Sequence, residues 1–261
     1  MARKNRFDLA GKVALITGGG SGLGQAFCEA MAEFGAEVAC IDIVEESAQQ
    51  TVRSIISDYG HRAIAIQADV SQQNEIEDLV NRTVRELGSI DIVFANAATL
   101  DSKITRIHQM EVEDWDRVFA LNLRGIFLLM RAVFPLMMQK KSGSFISLAS
   151  EAGLWPLPQV GPFSMTAAYN TAKSGVIMLT KHAAKQYGEF GIRANIICPG
   201  YHRTPMVSEI KEINDEAYLS LVPLKRRGLP EDIKGLGVYL ASDASSYVTG
   251  QIFVENGGYM A

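Results

Sequence analysis

The sequence predicts an α/β fold in which a single doubly wound parallel sheet is sandwiched by helices. Short runs of apolar, β-branched residues alternate with helical patterns along the chain, as is typical of parallel strands joined by crossover helices. The apolar runs are nearly continuous, as expected for strands that are covered on both faces. Because no linker or change in composition divides the 261 residues, we expect one domain over 1–261.

Strands and helices alternate in a fixed order. The predicted strands are 13–17, 38–43, 63–67, 90–95, 144–147, 193–198 and 252–255. The predicted helices are 22–35, 45–59, 74–87, 115–139, 168–190 and 230–241. Pro135 lies inside the fourth predicted helix, and we expect it to kink the end of that helix because proline cannot donate the helical hydrogen bond.

Composition and charge exclude several classes of function. Lys and Arg number 25 against 29 Asp and Glu, a net charge of −4, which argues against nucleic acid or an anionic membrane as the main partner. Three widely spaced cysteines and four scattered histidines predict reduced thiols and no metal site. The basic N-terminus has no apolar stretch after it, and two arginines interrupt the apolar run 121–138. We therefore expect a soluble, cytoplasmic protein without a membrane span.

A glycine-rich turn, TGGGSGLG at 17–24, follows the first strand. Glycines there permit a tight turn and close approach to a pyrophosphate, which the helix N-terminus attracts. Glycines also occur in turns that have only a local structural role, so the surrounding sequence must show whether this turn binds a phosphate. Asp42 ends the second strand, where a carboxylate accepts both hydroxyls of an adenosine ribose and repels a 2′-phosphate. Because Ile43 and Val44 follow it instead of a basic residue, the sequence favours NAD over NADP; the alternative for Asp42 is a solvated strand end.

Together with later motifs, this turn resembles the short-chain dehydrogenase/reductase family from about Leu9 to the C-terminus. YNTAK at 169–173 matches the YxxxK signature, PGYHRTPM at 199–206 matches PGxxxTxM, and YVTG with the later Gly-Gly pair is similar to the C-terminal region. Some positions depart from the pattern: Ala98 replaces a usual glycine, Asn256 a usual aspartate and His202 a usual branched aliphatic residue, and the stretch from Ser150 to Tyr169 is longer than usual. The resemblance implies a Rossmann-like fold and an NAD-dependent oxidoreductase that transfers hydride between NAD(H) and a secondary alcohol or ketone.

The resemblance also implies roles for the catalytic residues Asn122, Ser150, Tyr169 and Lys173. Tyr169 and Lys173 lie four residues apart and share a helix face. The ammonium and the positive ring of an oxidised cofactor would favour the phenolate. Tyr169 would then exchange a proton with the substrate oxygen, which Ser150 orients. Lys173 would hold the nicotinamide ribose, and Asn122 would position a water for proton relay.

Cofactor contacts follow from the same motifs. They are Gly18, Ser21, Gly22, Leu23, Gly24, Asp42, Ile43, Asp69, Val70, Asn96, Ala97, Ala98, Tyr169, Lys173, Pro199, Gly200, His202 and Thr204. Taken singly, a YxxxK pair is usually a solvated helix face, Ser150 a strand-end hydroxyl, and Asn122 a partner for a buried backbone group. Their joint occurrence after the glycine turn favours the catalytic interpretation.

Two segments, about 151–167 and 201–224, are predicted to form substrate loops. Candidate substrate contacts are Glu151, Trp155, Gln159, Tyr201 and Arg203. The first segment forms either an apolar wall of the pocket or a surface loop. The second carries several basic residues, which either recognise a carboxylated, phosphorylated or sulfonated group or face solvent. We expect a small alcohol or ketone, with a sugar, sugar acid or polyol as the leading substrate class.

The long predicted helix 115–139 is apolar over more than one stripe, and such a surplus apolar face favours a second copy of the chain as partner. We therefore expect a homotetramer, as is common in the family; the alternative is packing on the sheet alone. Two other functions remain open. An NADP-linked ketone reductase is disfavoured by Asp42, and a non-catalytic dinucleotide-sensing protein by the intact catalytic set.

Overall fold

The computed structural model describes residues 5–103, 105–156, 166–208, 215–259 and 261. The strands are β1 Val13–Thr17, β2 Glu37–Asp42, β3 Ala63–Gln67, β4 Ile92–Ala95, β5 Gly143–Leu148, β6 Ile192–Pro199 and β7 Ile252–Glu255. Together they form one sheet in the order β3-β2-β1-β4-β5-β6-β7, and all neighbouring strands are parallel. The predicted doubly wound α/β fold is confirmed.

Helices cover both faces of the sheet. They are α1 Gly22–Glu33, α2 Glu45–Tyr59, α3 Gln73–Leu87, α4 Val112–Phe119, α5 Gly125–Lys140, α6 Ala167–Tyr187, α7 Pro205–Ser208, α8 Asp215–Leu221 and α9 Lys234–Ala241. One buried apolar layer lies between the sheet and α3, α5 and α6. A second layer lies between the sheet and α1, α2 and α9. Burial on both faces explains why the strands are nearly continuous apolar runs.

The long central helix differs from its prediction. It runs from Val112 to Lys140 and contains a π-helical segment, Ala120–Arg124, between α4 and α5. The helix continues past Pro135 to Lys140. By length and composition alone this helix could span a membrane, but Val133 and Met137 are fully buried against the sheet layer. It is therefore the core helix of the sandwich.

Two other elements differ from the prediction. The last helix begins at Lys234 instead of residue 230, because the Asp232 carboxylate accepts hydrogen bonds from the Leu229 N–H and from Arg226. Such local side-chain bonds compete with helix formation. The short helices α7 and α8 lie in the predicted loop 201–224, where no helical pattern was recognised.

The strand order reverses at β1, which lies between β2 and β4. The connections that leave these neighbouring strands turn in opposite directions, so a crevice opens at their carboxyl ends. Thr17 ends β1 and Ala95 ends β4. The topology thereby places the glycine-rich turn and the segment after β4 on the two sides of one crevice.

Candidate active site

The glycine-rich turn lies at the carboxyl end of β1. Gly18 and Gly22 have φ of +65° and +56°, the left-handed region that favours glycine. A Cβ on Gly24 would lie 1.9 Å from the Gly18 carbonyl oxygen, so only glycine lets α1 start so close to the strand. The Asn96 amide donates to the carbonyls of Thr17 (2.9 Å) and Gly18 (3.2 Å). The turn is thus fixed at the helix N-terminus, which suits an anionic group.

Asp42 lies beside this turn at the end of β2. Its carboxylate accepts hydrogen bonds from the N–H groups of Gly20 (2.9 Å) and Val44 (3.0 Å). A Cβ on Gly20 would lie 2.8 Å from Asp42 Oδ2 and 2.6 Å from Ser47 Cβ, so glycine is needed here too. The backbone therefore holds this negative charge in a fixed position at the rim of the crevice.

A cleft of about 300 Å³ runs along the carboxyl ends of the strands. Its lining includes every residue that the sequence assigns to the cofactor except Gly24, which lies beneath the turn. Eight lining residues had not been predicted: Ile41, Ala68, Leu121, Leu148, Ala149, Pro205, Met206 and Val207. They carry no ionisable or hydroxyl group, so nothing in the sequence distinguishes them from core residues.

Ser150, Tyr169 and Lys173 meet at one end of this cleft. The Ser150 hydroxyl, just after β5, is hydrogen-bonded to the phenol of Tyr169 on α6. Lys173 Nζ lies 5.6 Å from the centre of the Tyr169 ring and donates to the Leu148 carbonyl at 2.7 Å. The predicted catalytic tyrosine, serine and lysine are therefore neighbours.

Burial governs the protonation of this group. Desolvation raises the pKa of Tyr169 above its ordinary value, although the hydrogen bond from Ser150 opposes the rise. Desolvation also lowers the pKa of Lys173 to about 8. The expected lowering of the phenol pKa does not occur in the protein alone, because the loss of water around the phenolate outweighs the favourable contacts.

Asn122 is fully buried in the π-helical segment. Its Oδ1 accepts from the Thr99 N–H and its Nδ2 donates to the Thr99 carbonyl, both at 2.8 Å. Its amide therefore satisfies a buried backbone unit in the loop after β4, the alternative that the sequence left open. π-helical segments are frequent at functional sites, and this one turns Asn122 toward the loop that borders the cleft.

Asp101, which no local pattern marks, holds the start of α6. Its carboxylate accepts from the N–H groups of Ala168 (3.2 Å) and Tyr169 (2.9 Å). The residue before the helix, Thr166, makes no side-chain capping bond, and its hydroxyl donates to Asn170 instead. Asp101 thus acts as a helix cap from another part of the chain. Since the partners are 68 residues apart, sequence patterns cannot show this contact.

The predicted substrate residues divide into two groups. Glu151 and Tyr201 are almost fully buried. Tyr201 and Tyr169 belong to one buried cluster of hydrophobic side chains, and Trp155 packs against this cluster. Arg203 is exposed, and Gln159 lies outside the described residues. The structure adds two residues that the sequence had not connected with the site: the rings of Tyr218 and Tyr259 belong to this cluster.

Among the described residues, only one oxygen of the Glu151 carboxylate has a hydrogen-bond partner. Its Oε2 accepts from Asn256 Nδ2 at 2.8 Å. Burial raises the pKa of the Glu151 carboxyl to about 7, although the Asn256 bond and the nearby His202 oppose the rise. Asn256 is the position where the family pattern has aspartate, so this amide replaces a charge that would have repelled Glu151.

Several of the described basic residues in and just after the second segment are engaged by the chain itself. His202 Nδ1 lies 3.0 Å from the Gly200 carbonyl, and Nε2 lies 2.7 Å from Glu255 Oε2. Burial lowers the pKa of His202, but Glu255 and Gly200 outweigh it, so the pKa is raised. Arg226 pairs with Asp232, and Lys225 donates to the Ser220 carbonyl. These contacts reduce the support for an anionic substrate.

Several known proteins are similar to this chain along nearly its whole length. A family model described as enoyl-(acyl carrier protein) reductase matches residues 18–260. The 3-oxoacyl-[acyl-carrier-protein] reductase of Synechocystis sp. is 37% identical over 251 residues, which cover 96% of this chain and 97% of the relative. The cyclohexanol dehydrogenase of Acinetobacter sp. is 34% identical over 255 residues, 98% of this chain and 96% of the relative.

A solved structure, the short-chain type dehydrogenase/reductase from Mycobacterium marinum, superposes with a TM-score of 0.92 at 35% identity and covers 98% of both chains. The fold and the cleft define a nicotinamide-dinucleotide-binding oxidoreductase of the α/β class. The chain belongs to the short-chain dehydrogenase/reductase family, whose members act on alcohols and ketones.

Proposed function

We propose that the protein transfers a hydride between NAD(H) and a secondary alcohol or ketone, with a sugar, sugar acid or polyol as the substrate class. The observation that carries this proposal is the meeting of Ser150, Tyr169 and Lys173 at one end of a cleft whose other end holds Asp42. A reacting group and a dinucleotide can therefore be bound side by side, which is the requirement for hydride transfer.

The residues present fit a dinucleotide. The glycine turn and the first residues of α1, Gly18, Ser21, Gly22 and Leu23, line the cleft, and Gly24 lets the helix start close to the strand. This end of the helix would hold a pyrophosphate. Asp42 would accept the hydroxyls of one ribose, and Lys173 would donate to those of the other. When bound, the nicotinamide supplies the site that accepts or gives the hydride.

The chain's own residues would move the proton. In the oxidation of an alcohol, the Tyr169 oxygen accepts the hydroxyl proton, and in reduction it donates that proton back. The Ser150 hydroxyl orients the reacting oxygen beside the phenol. The Lys173 ammonium lies 5.6 Å from the centre of the Tyr169 ring. It would stabilise negative charge on Tyr169 through space, because little water is present in this buried site to screen the interaction.

We propose NAD rather than NADP because of the charge on Asp42. A 2′-phosphate beside a carboxylate that two backbone N–H groups hold in place would meet like-charge repulsion worth several kcal/mol. We expect wild-type kcat/KM to be about 100-fold higher with NAD than with NADP. Asp42→Asn should reduce that preference about 10-fold or more, since the repulsion is removed.

Steady-state kinetics with both cofactors measures this preference. Asp58→Asn, an exposed residue near the far end of α2, is the matched control and should leave the ratio unchanged. A wild-type preference for NADP would overturn the assignment of Asp42 and favour the NADP-linked ketone reductase. We further propose that the protein is a single-domain, cytoplasmic homotetramer; its free, buried cysteines Cys28, Cys40 and Cys198 suit a reducing compartment.

A further inference from the structure

Unpartnered polar atoms are concentrated beside the catalytic tyrosine. Within the described part of the chain, six buried side-chain atoms have no hydrogen-bond partner. Two of them, His202 Nε2 and Glu255 Oε2, face each other at 2.7 Å as an ion pair. The other four are Glu151 Oε1, Trp155 Nε1, Tyr201 OH and Tyr259 OH. Buried polar atoms are almost always hydrogen-bonded in native proteins, so four exceptions close to Tyr169 call for an explanation, and a bound ligand is one.

These atoms belong to distant parts of the chain but to one cluster. Tyr201, Tyr218 and Tyr259 lie in the same buried cluster as Tyr169. The ring centres of Tyr201 and Tyr218 are 5.1 Å apart, and those of Tyr218 and Tyr259 are 4.8 Å apart. Glu151 directly follows Ser150 in the chain. Glu151 is also close enough to Tyr169 and Tyr259 for its charge to add to the rise that burial causes in the pKa of both phenols. The unpartnered groups therefore belong to the same region as Tyr169.

The cluster is already fixed in position. Asn256 holds one oxygen of Glu151, which leaves Oε1 as its available acceptor. The Tyr218 phenol accepts from the Tyr201 backbone N–H at 3.4 Å, and the ring stacking restrains Tyr259. The four unpartnered atoms are inaccessible in this structure, so a ligand reaches them only when neighbouring groups move aside, but the cluster that it would meet is already ordered.

The surrounding charges favour a neutral ligand. Glu151 disfavours an anion. On the other side, Glu255 neutralises the buried His202, and the Arg227 guanidinium lies 4.3 Å from the centre of the Tyr201 ring, so a cation already lies beside the cluster and disfavours an ammonium. Because burial raises the pKa of Glu151 to about 7, its carboxyl can donate as well as accept near neutral pH. A hydroxyl group likewise both donates and accepts hydrogen bonds, so it matches this carboxyl.

We propose that Glu151, Tyr201 and Tyr259 form a subsite for a second hydroxyl group of a neutral polyhydroxylated substrate. This inference rests on the proposed function and narrows its substrate class to diols, polyols and neutral sugars. The substrate hydroxyl donates to Glu151 Oε1, and the phenol hydroxyls donate to substrate oxygens. Trp155 Nε1 supplies one further donor at the edge of the cluster.

The test compares two probes that differ by one hydroxyl, trans-cyclohexane-1,2-diol and cyclohexanol, with NAD as the oxidant. A site built around hydrogen-bonding groups discriminates strongly against an analogue that leaves them unpaired. We expect wild-type kcat/KM to be at least about 10-fold higher for the diol. Glu151→Gln should bring the ratio close to one, because the glutamine oxygen replaces Oε2 at Asn256 and its amide N–H₂ replaces the acceptor Oε1.

Tyr259→Phe should reduce the same ratio, while Tyr247→Phe, which changes a fully exposed tyrosine, is the matched control and should not. A merely structural role for Glu151 or Tyr259 would lower the rates for both probes together and leave their ratio unchanged. Equal kcat/KM for the two probes in the wild type, or an unchanged ratio in both variants, overturns the subsite. Turnover of cyclohexanol in that case leaves the proposed function intact.

If neither probe is oxidised, calorimetric titration of each into the NAD-saturated protein decides the question. Diol binding that is about 10-fold tighter than cyclohexanol binding, and that is weakened in Glu151→Gln, supports the subsite. Equal binding, or no binding of either probe, overturns it. The absence of turnover with the whole set of alcohols would count separately against the proposed function.

Discussion

At the residue scale, three buried groups in the site have pKa values that are shifted from their ordinary values. The pKa of Lys173 is lowered to about 8, that of Glu151 is raised to about 7, and that of Tyr169 is raised as well. Desolvation is the largest cause in each case. Shifts of this kind cluster at functional sites, because charged groups that are useful in a reaction are kept there although they oppose folding.

Glu151→Gln should change how stability depends on pH. The folded-state pKa of Glu151, about 7, is above the ordinary value of 4.5. Between these pH values the folded protein binds more protons than the unfolded chain, so the contribution of Glu151 to stability falls as pH rises. Glutamine does not titrate. We therefore expect the stability of the variant relative to wild type to increase by about 1–3 kcal/mol from pH 5 to pH 8.

Urea unfolding at both pH values measures this difference. Glu189→Gln, which changes an exposed glutamate in the turn after α6, is the control and should follow the wild type. If the stability of Glu151→Gln relative to wild type were the same at pH 5 and pH 8, burial would not raise the pKa of the Glu151 carboxyl.

At the scale of elements, the start of α6 and the loop after β4 form one unit. Asp101 in that loop caps the helix that carries Tyr169. The loop itself is held by Asn122 at Thr99 and by Arg117, which donates to the Leu100 carbonyl at 2.7 Å. The position of the Tyr169 phenol therefore depends on contacts between elements that are distant in the chain.

Asp101→Ala should weaken both stability and turnover. Two N–H groups at the first turn of α6 would lose their acceptor, and loss of a cap costs about 1–2 kcal/mol of unfolding free energy. Because the Tyr169 backbone would no longer be fixed, we expect kcat to fall about 10-fold or more, with little change in NADH affinity. Asp58→Ala is the exposed control. Wild-type kcat in Asp101→Ala would show that the cap does not position Tyr169.

The elements themselves were largely predictable from local patterns. All seven predicted strands exist, because each is a short apolar run. The five inner strands are largely buried, whereas the edge strands β3 and β7 are only partly buried. Many residues that line the cleft were predictable as well, since glycines, Asp42 and the YxxxK pair carry a recognisable chemistry, whereas the eight apolar lining residues resemble core positions. The long-range contacts were not: nothing near Asp101, Tyr218 or Tyr259 in the sequence indicates their partners, because folding alone brings those segments together.

At the scale of the whole molecule, several large apolar side chains remain exposed. Phe127 on α5 and Met178 on α6 are about half exposed. Tyr247 is fully exposed, and Val254 on the edge strand β7 is 43% exposed. Exposed apolar side chains on helices and on the sheet edge suit a closed assembly with two kinds of interface, as the proposed tetramer requires.

Light scattering should therefore give a mass of about four times the 28.5 kDa of one chain. Phe127→Glu places a charge in the expected interface and should reduce the mass to that of a smaller species, while Glu189→Gln should not. A mass of one chain at micromolar concentration would refute the tetramer.

The proton-transfer role of Tyr169 is the central claim, and Tyr169→Phe tests it most directly. NADH binding and kcat are measured together, with the best substrate from a panel of secondary alcohols, polyols and sugars. Phenylalanine keeps the ring in the cleft but removes the group that exchanges the proton. We expect kcat to fall by about 10²–10⁴-fold while the Kd for NADH changes less than about 3-fold. Near-wild-type turnover in Tyr169→Phe would contradict this role, and dinucleotide binding without turnover in the wild type would instead favour a sensing protein.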